Sequence, residues 1–306
     1  MINEDLQYLI SEYGNSKANY SQEASSHWLR LNDFQKIKID HKNDNLFNKK
    51  GIRLNLSGGG FGEFKKLTIL NLVTHLHVFL YLSLNLWRKL DLNTFFKTFR
   101  YCLKSRQLFG YDVSRLATTV DFLAKNIGDL DGKSILIIGD GYGRLGSILK
   151  SIFPNLTITH INLGKILIFD YFYSLKVFPD LKHKLVFSQS DFGSDFNYIE
   201  AEKYRNFKIK SDLIINIASM QEMNLKQIDD YFKLIKAQRG YFYCCNRVSK
   251  TLPDGTTVNF FEYPWGKLEI IVDEICPWYQ KFPAVKPPFV RKFDGPIQHR
   301  LTKNIL

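Results

Sequence analysis

An apolar, β-branched run followed at once by three alternating glycines is the feature that most constrains this chain of 306 residues. The run is Ser134–Ile138, and the glycines are Gly139, Gly141 and Gly143. An apolar helical pattern begins directly after them, so the segment predicts a buried parallel strand, a tight turn and a helix N-terminus. Glycines let a ligand approach the backbone, and a helix start offers N–H groups. We therefore expect a nucleotide-like cofactor at residues 139–146.

Strand and helix patterns alternate after this segment. The strand patterns cover 134–138, 156–161, 184–188, 212–217 and 240–246. The helical patterns cover 144–152, 165–177, 195–205 and 225–237. Such a series predicts an α/β fold with a doubly wound, mostly parallel sheet. Late segments at 258–263, 268–274 and 297–303 are expected to add antiparallel strands at the sheet edge.

The part of the chain before the sheet predicts a helical layer. We assign residues 1–126 to an N-terminal helical region that caps the acceptor site, and 127–306 to the cofactor-binding domain. No charge lies between Lys66 and Arg88, and this Leu-rich run is long enough to span a bilayer. Its Thr, Asn, Ser and His residues favour a buried helix pair instead, with peripheral membrane contact left open. The glycine cluster at 57–62 lacks a Gly-Lys-Ser/Thr ending, so it predicts a flexible turn or lid hinge rather than a phosphate loop.

Charge and cysteine content narrow the partners and the compartment. The net charge is +12, from 42 basic and 30 acidic residues. It favours an anionic partner, such as a sugar nucleotide, a lipid-linked phosphate or nucleic acid, or else reflects a lysine-rich solvated surface. Four cysteines form no CxxC pair, so we expect reduced thiols and no zinc site. Residues 1–5 lack the basic start of a signal peptide, and we expect a cytoplasmic protein, with contact at the inner face of the membrane left open.

Two cofactor classes compete at the glycine turn. Gly141–Gly146 fits GxGxxG, the pattern of dinucleotide folds, but no acid closes the second strand to bind ribose. Asn162 stands there and can still hydrogen-bond a ribose hydroxyl. In the alternative register, Gly139-Asp140-Gly141-Tyr142-Gly143 resembles motif I of class I methyltransferases, which use S-adenosylmethionine. The acid common in that motif's strand falls on Ile137, and we expect Asp140 to face the cofactor's cation instead.

The fourth predicted strand favours the second register. Residues 212–223 read DLIINIASMQEM, which closely resembles a signature of the sugar O-methyltransferase family of bacterial polysaccharide and glycoside pathways. Ser26-His27-Trp28 and residues 170–175 agree with it, and the resemblance covers roughly residues 20–300. It implies a Rossmann-like methyltransferase sheet, S-adenosylmethionine as cofactor and a sugar hydroxyl as acceptor. The contacts that it implies for the cofactor are Gly139, Asp140, Gly141, Tyr142, Gly143, Asn162, Asp191 and Phe192 near adenine, and Asn216.

Methyl transfer to a sugar hydroxyl benefits from a general base. Glu222 lies just past a strand end, where open α/β sheets place ligands, although a carboxylate there would also favour a helix dipole. His299 is the second candidate, since a histidine suits proton removal near neutral pH. For the acceptor, which we expect to be a free sugar, a sugar nucleotide or a lipid-linked glycan, the candidate contacts are His27, Arg144, Ser219, Gln221 and Arg247. Arg144 also suits a cofactor carboxylate.

Three alternatives stay open. The positive charge favours a nucleic-acid methyltransferase, but the fourth strand lacks the Asn/Asp-Pro-Pro-aromatic string of enzymes that methylate base amino groups. Ile137 and Asn162 are compatible with a non-catalytic methyltransferase-like domain. An oxidoreductase would require nicotinamide binding. No carboxylate and histidine cluster with clear ligand spacing is visible, so we assign no metal.

Overall fold

The computed structural model describes residues 3–14, 25–28, 38–40, 45–47, 90–105, 109–283 and 290–304. The predicted hinge at 57–62 and the Leu-rich run at 66–88 lie outside these residues. The helices of the described part are α1 (Glu4–Tyr13), α2 (Leu92–Ser105), α3 (Tyr111–Ile127), α4 (Arg144–Ile152), α5 (Gly164–Val177) and α6 (Leu225–Lys236). Short 3-10 turns cover Gln189–Asp191, Tyr204–Asn206, Met220–Glu222 and Phe260–Glu262.

Eight strands of the described chain form one central sheet. They are β3 (Ser134–Ile138), β4 (Thr157–Asn162), β5 (His183–Leu185), β6 (Phe196–Glu200), β7 (Leu213–Ile217), β8 (Gly240–Arg247), β11 (Glu269–Ile275) and β14 (Ile297–Asn304). Their order is β11-β14-β8-β7-β3-β4-β6-β5. Six strands run parallel, and β14 pairs antiparallel with both β8 and β11. The predicted α/β, mostly parallel, doubly wound sheet is confirmed.

Three short hairpins lie outside this sheet. They pair β1 (Lys38–Asp40) with β2 (Asn45–Phe47), β9 (Ser249–Thr251) with β10 (Thr257–Asn259), and β12 (Lys281–Pro283) with β13 (Val290–Lys292). The prediction that residues 258–263 form an edge strand of the central sheet was therefore wrong. It contributes β10 and a 3-10 turn rather than a strand of the central sheet.

Helices cover both faces of the sheet because the central strands are apolar on both sides. In β3, Ile135 and Ile137 join a core with α1, α3, α4 and α5, while Leu136 and Ile138 join a second core with α6. Alternate residues of a strand point to opposite faces, so one apolar run serves two layers. The N-terminal helices thus pack on the same core as the sheet.

The helix predicted at 195–205 is wrong, because β6 occupies Phe196–Glu200 and inserts between β4 and β5. Phe196 and Tyr198 face one core and Ile199 the other, which is the period of a strand. The strand pattern at 184–188 shortens to the edge strand β5. The strand that neighbours β4 is therefore β6. The residues that follow β6, rather than those that follow β5, are next to the end of β4.

All four cysteines are buried free thiols, Cys102, Cys244, Cys245 and Cys276. Among the helices that the structure describes, none is long and apolar enough to cross a membrane.

Candidate functional site

A cavity of about 310 Å³ opens at the carboxyl ends of the parallel strands. This volume and position suit a small-molecule site, since open α/β sheets bind ligands beyond their carboxyl edge where the strand order reverses. The residues that line it include Trp28, Asp112, Arg115, Gly139, Asp140, Gly141, Tyr142, Arg144, Asn162, Leu163, Ala201, Ser219, Gln221, Glu222, Arg247, Lys250, Tyr279 and Phe293.

The turn after β3 packs tightly against the turn after β7. Gly139 has φ +76°, and a Cβ built there would lie 2.6 Å from Ser219 Cβ and closer still to its hydroxyl. Gly143 has φ +59°, and its Cβ would lie 2.6 Å from the Asp170 carbonyl oxygen. Glycine is needed at both positions for the left-handed backbone and for the close approach. The two turns therefore form one floor of the cavity.

Asp140 caps helix α4. Its carboxylate oxygens accept hydrogen bonds from the Leu145 amide at 3.0 Å and the Gly146 amide at 2.9 Å. Burial raises the pKa of this carboxyl, while these amides and Arg144 act in the opposite direction. Asp140 also lines the cavity, and its predicted position facing the cofactor's cation stays a prediction. Unpaired amides at a helix start bind a nearby carboxylate, and that is how Asp140 is used.

The Asp170 carboxylate of α5 accepts a hydrogen bond from another backbone amide of the same turn. It accepts the Gly143 amide at 2.8 Å and the Asn162 side-chain nitrogen at 2.8 Å. Burial raises its pKa well above the ordinary value, and the nearby Asp140 raises it further. Asn162 borders the cavity with its side chain fixed by Asp170 and by the Leu163 amide. Its predicted contact with ribose stays a prediction.

A buried amide network holds the turn after β7. The Asn216 nitrogen donates to the Ile138 carbonyl at 2.9 Å, and its oxygen accepts from the Met220 amide and from Asn246. The Gln221 side-chain oxygen accepts the Arg247 amide at 2.7 Å. Ser219 and Gln221 line the cavity, whereas Asn216 is not among the lining residues, and the predicted contacts of all three with ligands stay predictions. Asn216 acts as a positioning residue because both its polar atoms are engaged by the sheet and the turn.

Glu222 lies between a cation and a histidine. One carboxylate oxygen is 2.7 Å from the Lys250 ammonium, and the other is 3.4 Å from His27 Nε2. The Ser25 hydroxyl donates to the Glu222 carbonyl oxygen, and the adjacent Trp28 lines the cavity. The structure thus brings together Glu222 and His27, which are far apart in sequence.

A second charged group lines the cavity from helix α3. Asp112 lies 3.1 Å from Arg115 and 3.6 Å from Arg144. The Arg115 guanidinium lies over the Tyr279 ring, 3.6 Å from its centroid. Arg144 was predicted from the sequence as a site residue, whereas Asp112 and Arg115 were not. A helical pattern was visible in α3, but nothing local showed which of its faces meets the sheet edge.

Six predicted site residues are not among those that line the cavity: His27, Gly143, Asn216, Asp191, Phe192 and His299. His299 is fully buried in β14, 3.3 Å from Glu274 and packed against Phe122 and Trp278. Asp191 closes a local turn and accepts from the Ser188 amide at 2.7 Å, and Phe192 follows it. The placement of Asp191 beside adenine assumed that the strand before it neighbours β4. Because β6 takes that position, Ala201 is the residue that reaches the cavity.

The remaining predicted residues lie at the cavity. Arg247 at the end of β8 is 4.0 Å from Asp294, and Tyr142 of the glycine turn contacts the rings of Phe169 and Tyr173. Burial raises the pKa of Tyr142 to about 12. Within the described residues, no group of three His, Cys, Asp or Glu side chains is placed to hold a metal ion.

Comparisons with known proteins give similar structures only. No protein-family model matches the sequence. No curated protein matches it either. A coclaurine N-methyltransferase bound to N-methylheliamine and SAH is 12% identical, with a TM-score of 0.42, over 63% of this chain and 73% of that one. A geranyl diphosphate C-methyltransferase from Streptomyces coelicolor, in complex with Mg²⁺, geranyl diphosphate and S-adenosyl-L-homocysteine, is 11% identical, with a TM-score of 0.43, over 62% and 79%.

The 16S rRNA methylase ArmA is 13% identical, with a TM-score of 0.38, over 64% of this chain and 85% of that chain. Likeness at this level does not identify a reaction. What the chain's own geometry establishes is a Rossmann-like, mostly parallel sheet with a cavity at its carboxyl edge.

Proposed function

We propose that this protein is an S-adenosylmethionine-dependent methyltransferase. The observation that carries the proposal is the occupation of the helix α4 start by the chain's own carboxylates. Asp170 binds the Gly143 amide, and Asp140 binds the amides of Leu145 and Gly146. Dinucleotide folds bind a pyrophosphate on these amides. A cofactor without a diphosphate, such as an adenosyl sulfonium, fits this turn better than NAD does.

The two ends of the cavity suit the two ends of such a cofactor. Asn162, Leu163 and Ala201 border the end at β4 and β6, where the adenosine would lie. The Asp112, Arg115 and Arg144 group borders the other side. Arginine is the usual bidentate partner of a carboxylate, and Asp112 can accept from an ammonium. The amino-acid part of the cofactor carries both groups, so we assign it to this side.

The acceptor is a sugar hydroxyl in this proposal. The aromatic residues that line the cavity include Trp28, Tyr279 and Phe293, and Gln221 and Arg247 add polar groups. Aromatic faces beside hydrogen-bonding groups suit a sugar ring. The resemblance of residues 212–223 to sugar O-methyltransferases supports the same acceptor class.

Glu222 is the proposed general base. Of the carboxylates that line the cavity, Asp140 caps a helix, Asp112 is paired with two arginines, and Glu222 contacts one lysine and one histidine. Glu222 would take the hydroxyl proton while the acceptor oxygen forms a bond to the methyl carbon. Bound S-adenosylmethionine would supply the methyl group and would leave as a neutral thioether, with the electron pair of the sulfur–carbon bond retained on sulfur. Alignment of the reacting pair is worth ~7–11 kcal/mol of the barrier, and a base adds about 10²–10⁴-fold.

Calorimetric titration of the purified protein tests the cofactor assignment. We expect S-adenosylhomocysteine to bind and NAD not to bind, because the anion position at α4 is filled. Arg144→Gln should weaken binding of S-adenosylhomocysteine, whereas Arg239→Gln, an exposed arginine away from the cavity lining, should not. Binding of NAD alone would contradict the proposal, and binding of neither compound would favour a non-catalytic domain.

A further inference from the structure

Helix α2 presents an apolar stripe to solvent. Leu92, Phe96, Phe99 and Leu103 are exposed by 54%, 62%, 38% and 54%. The opposite side of the same helix, with Thr94, Thr98, Tyr101 and Cys102, is buried. A surface helix normally buries its apolar side chains, so a second apolar face that points outward indicates an interaction surface.

The positions of these residues on the helix make the stripe continuous. At about 100° per residue, the four exposed apolar side chains fall within an arc of about 60°. Phe95 lies beside this arc and links it to the core, because its ring contacts Phe99 and the buried Phe109. The stripe therefore stands on a firmly packed helix rather than on a loose one.

The other exposed side chains of α2 are basic or neutral. Lys97, Arg100 and Lys104 occupy an arc on one flank of the stripe, and the segment Leu92–Ser105 contains no acidic residue. Lys104 lies 5.3 Å from the Phe178 ring centroid, and the exposed Lys176 follows on α5. The outward face is thus apolar and cationic together, in a chain of net charge +12.

We propose that α2 docks this protein on an anionic lipid surface. Helices that lie in a membrane interface combine Phe and Leu on one face with Lys and Arg beside it. The long basic side chains can reach lipid phosphates while the rings enter the acyl boundary. A partner protein's acidic groove would match the charges as well, but basic residues on one flank of a convex, apolar stripe favour a flat, anionic surface. The proposal goes beyond methyl transfer and does not depend on it.

Co-sedimentation of the full chain with vesicles tests this surface. We expect binding to phosphatidylcholine vesicles that contain phosphatidylglycerol and at least about ten-fold weaker binding to phosphatidylcholine alone. Added NaCl should weaken the binding, since salt screens the charges. The double variant Phe96→Gln/Leu103→Gln should lose most of the binding, and Arg100→Gln should reduce it.

Matched control variants distinguish binding through this face from non-specific binding to vesicles. Leu225→Gln removes a side chain of α6 that is 51% exposed, and Arg239→Gln removes an exposed cation elsewhere. Both should bind vesicles as the unchanged protein does. Equal binding to the two vesicle types, or unchanged binding of the Phe96→Gln/Leu103→Gln variant, would overturn the proposal. The proposal would also be overturned if sedimentation equilibrium showed a dimer of the unchanged protein and a monomer of the double variant, because the face would then bind a second copy of the chain.

Discussion

At the scale of single residues, both carboxylate oxygens of Glu222 contact other side chains. Lys250 and His27 contact different oxygens of the same carboxylate. The two contacts hold the carboxylate in one orientation at the cavity. The roles of Glu222 and His27 can therefore be separated only by substituting each of them.

We expect Glu222→Gln to lower methyl transfer by about 10²–10⁴-fold while leaving the affinity for S-adenosylhomocysteine nearly unchanged. The measurement is transfer of a labelled methyl group to sugar acceptors. Glu262→Gln, an exposed acid that is not among the cavity-lining residues, serves as the control. Unchanged turnover in Glu222→Gln, together with a large loss in His27→Gln, would move the base to His27.

The packing of helix α4 on strand β4 leads to a prediction about pH at the scale of elements. His160 of β4 is fully buried under Gly146, where an added Cβ would lie 2.7 Å from the imidazole. Neither ring nitrogen has a hydrogen-bond partner among the described residues. The ring stacks on Phe196 and Tyr198. Burial, and to a smaller extent the charge of His183, lowers the pKa of His160 to about 3.

A lowered folded-state pKa means that the unfolded chain binds a proton that the folded chain excludes. The contribution of His160 to stability is therefore complete above the ordinary pKa, near 6.5, and is lost as the pH falls toward about 3. His160→Phe keeps the ring stack but cannot bind a proton. Between pH 6.5 and about 3, we expect the unfolding free energy of this variant to fall less steeply than that of the unchanged protein, by roughly 1.4 kcal/mol per pH unit. Urea unfolding at pH 7 and pH 5 measures it. A pH dependence identical to that of the unchanged protein would contradict the placement.

The elements that the sequence predicted well are those whose signals are local. The strand at 134–138, its glycine turn and α4 combine an apolar run, three glycines and a helical period within a short segment. The strand β6 was missed because its pairing with β4 is non-local, and the error carried into the site by placing Asp191 where Ala201 lies. The contact between His27 and Glu222, and the position of Asp112 and Arg115, likewise depend on which helix face meets the sheet.

At the scale of the whole molecule, one hydrophobic core contains residues of both predicted regions, 1–126 and 127–306. Leu6, Tyr101 and Val120 lie in the same apolar cluster as Ile135 of the sheet, and Trp278 donates to the Thr119 hydroxyl at 3.0 Å. The cavity also takes residues from both regions. The division at residue 126 therefore separates parts of the chain that depend on each other for burial.

We expect a fragment of residues 127–306 to lose cooperative thermal unfolding and binding of S-adenosylhomocysteine, because its sheet face and cavity wall are uncovered. A fragment of residues 90–306, which keeps α2 and α3, should retain cooperative unfolding. Circular dichroism melts compare the two. A shorter fragment that melts as the full chain does would show that 127–306 is an independent domain.

The carboxylates at the start of helix α4 have a consequence for selectivity inside a cell. Nucleoside triphosphates and other phosphorylated metabolites compete for any exposed cluster of backbone amides. Here Asp140 and Asp170 already accept the hydrogen bonds of amides at that place. We therefore expect the occupancy of the cofactor site to follow the supply of its own ligand and to be insensitive to the energy charge of its surroundings.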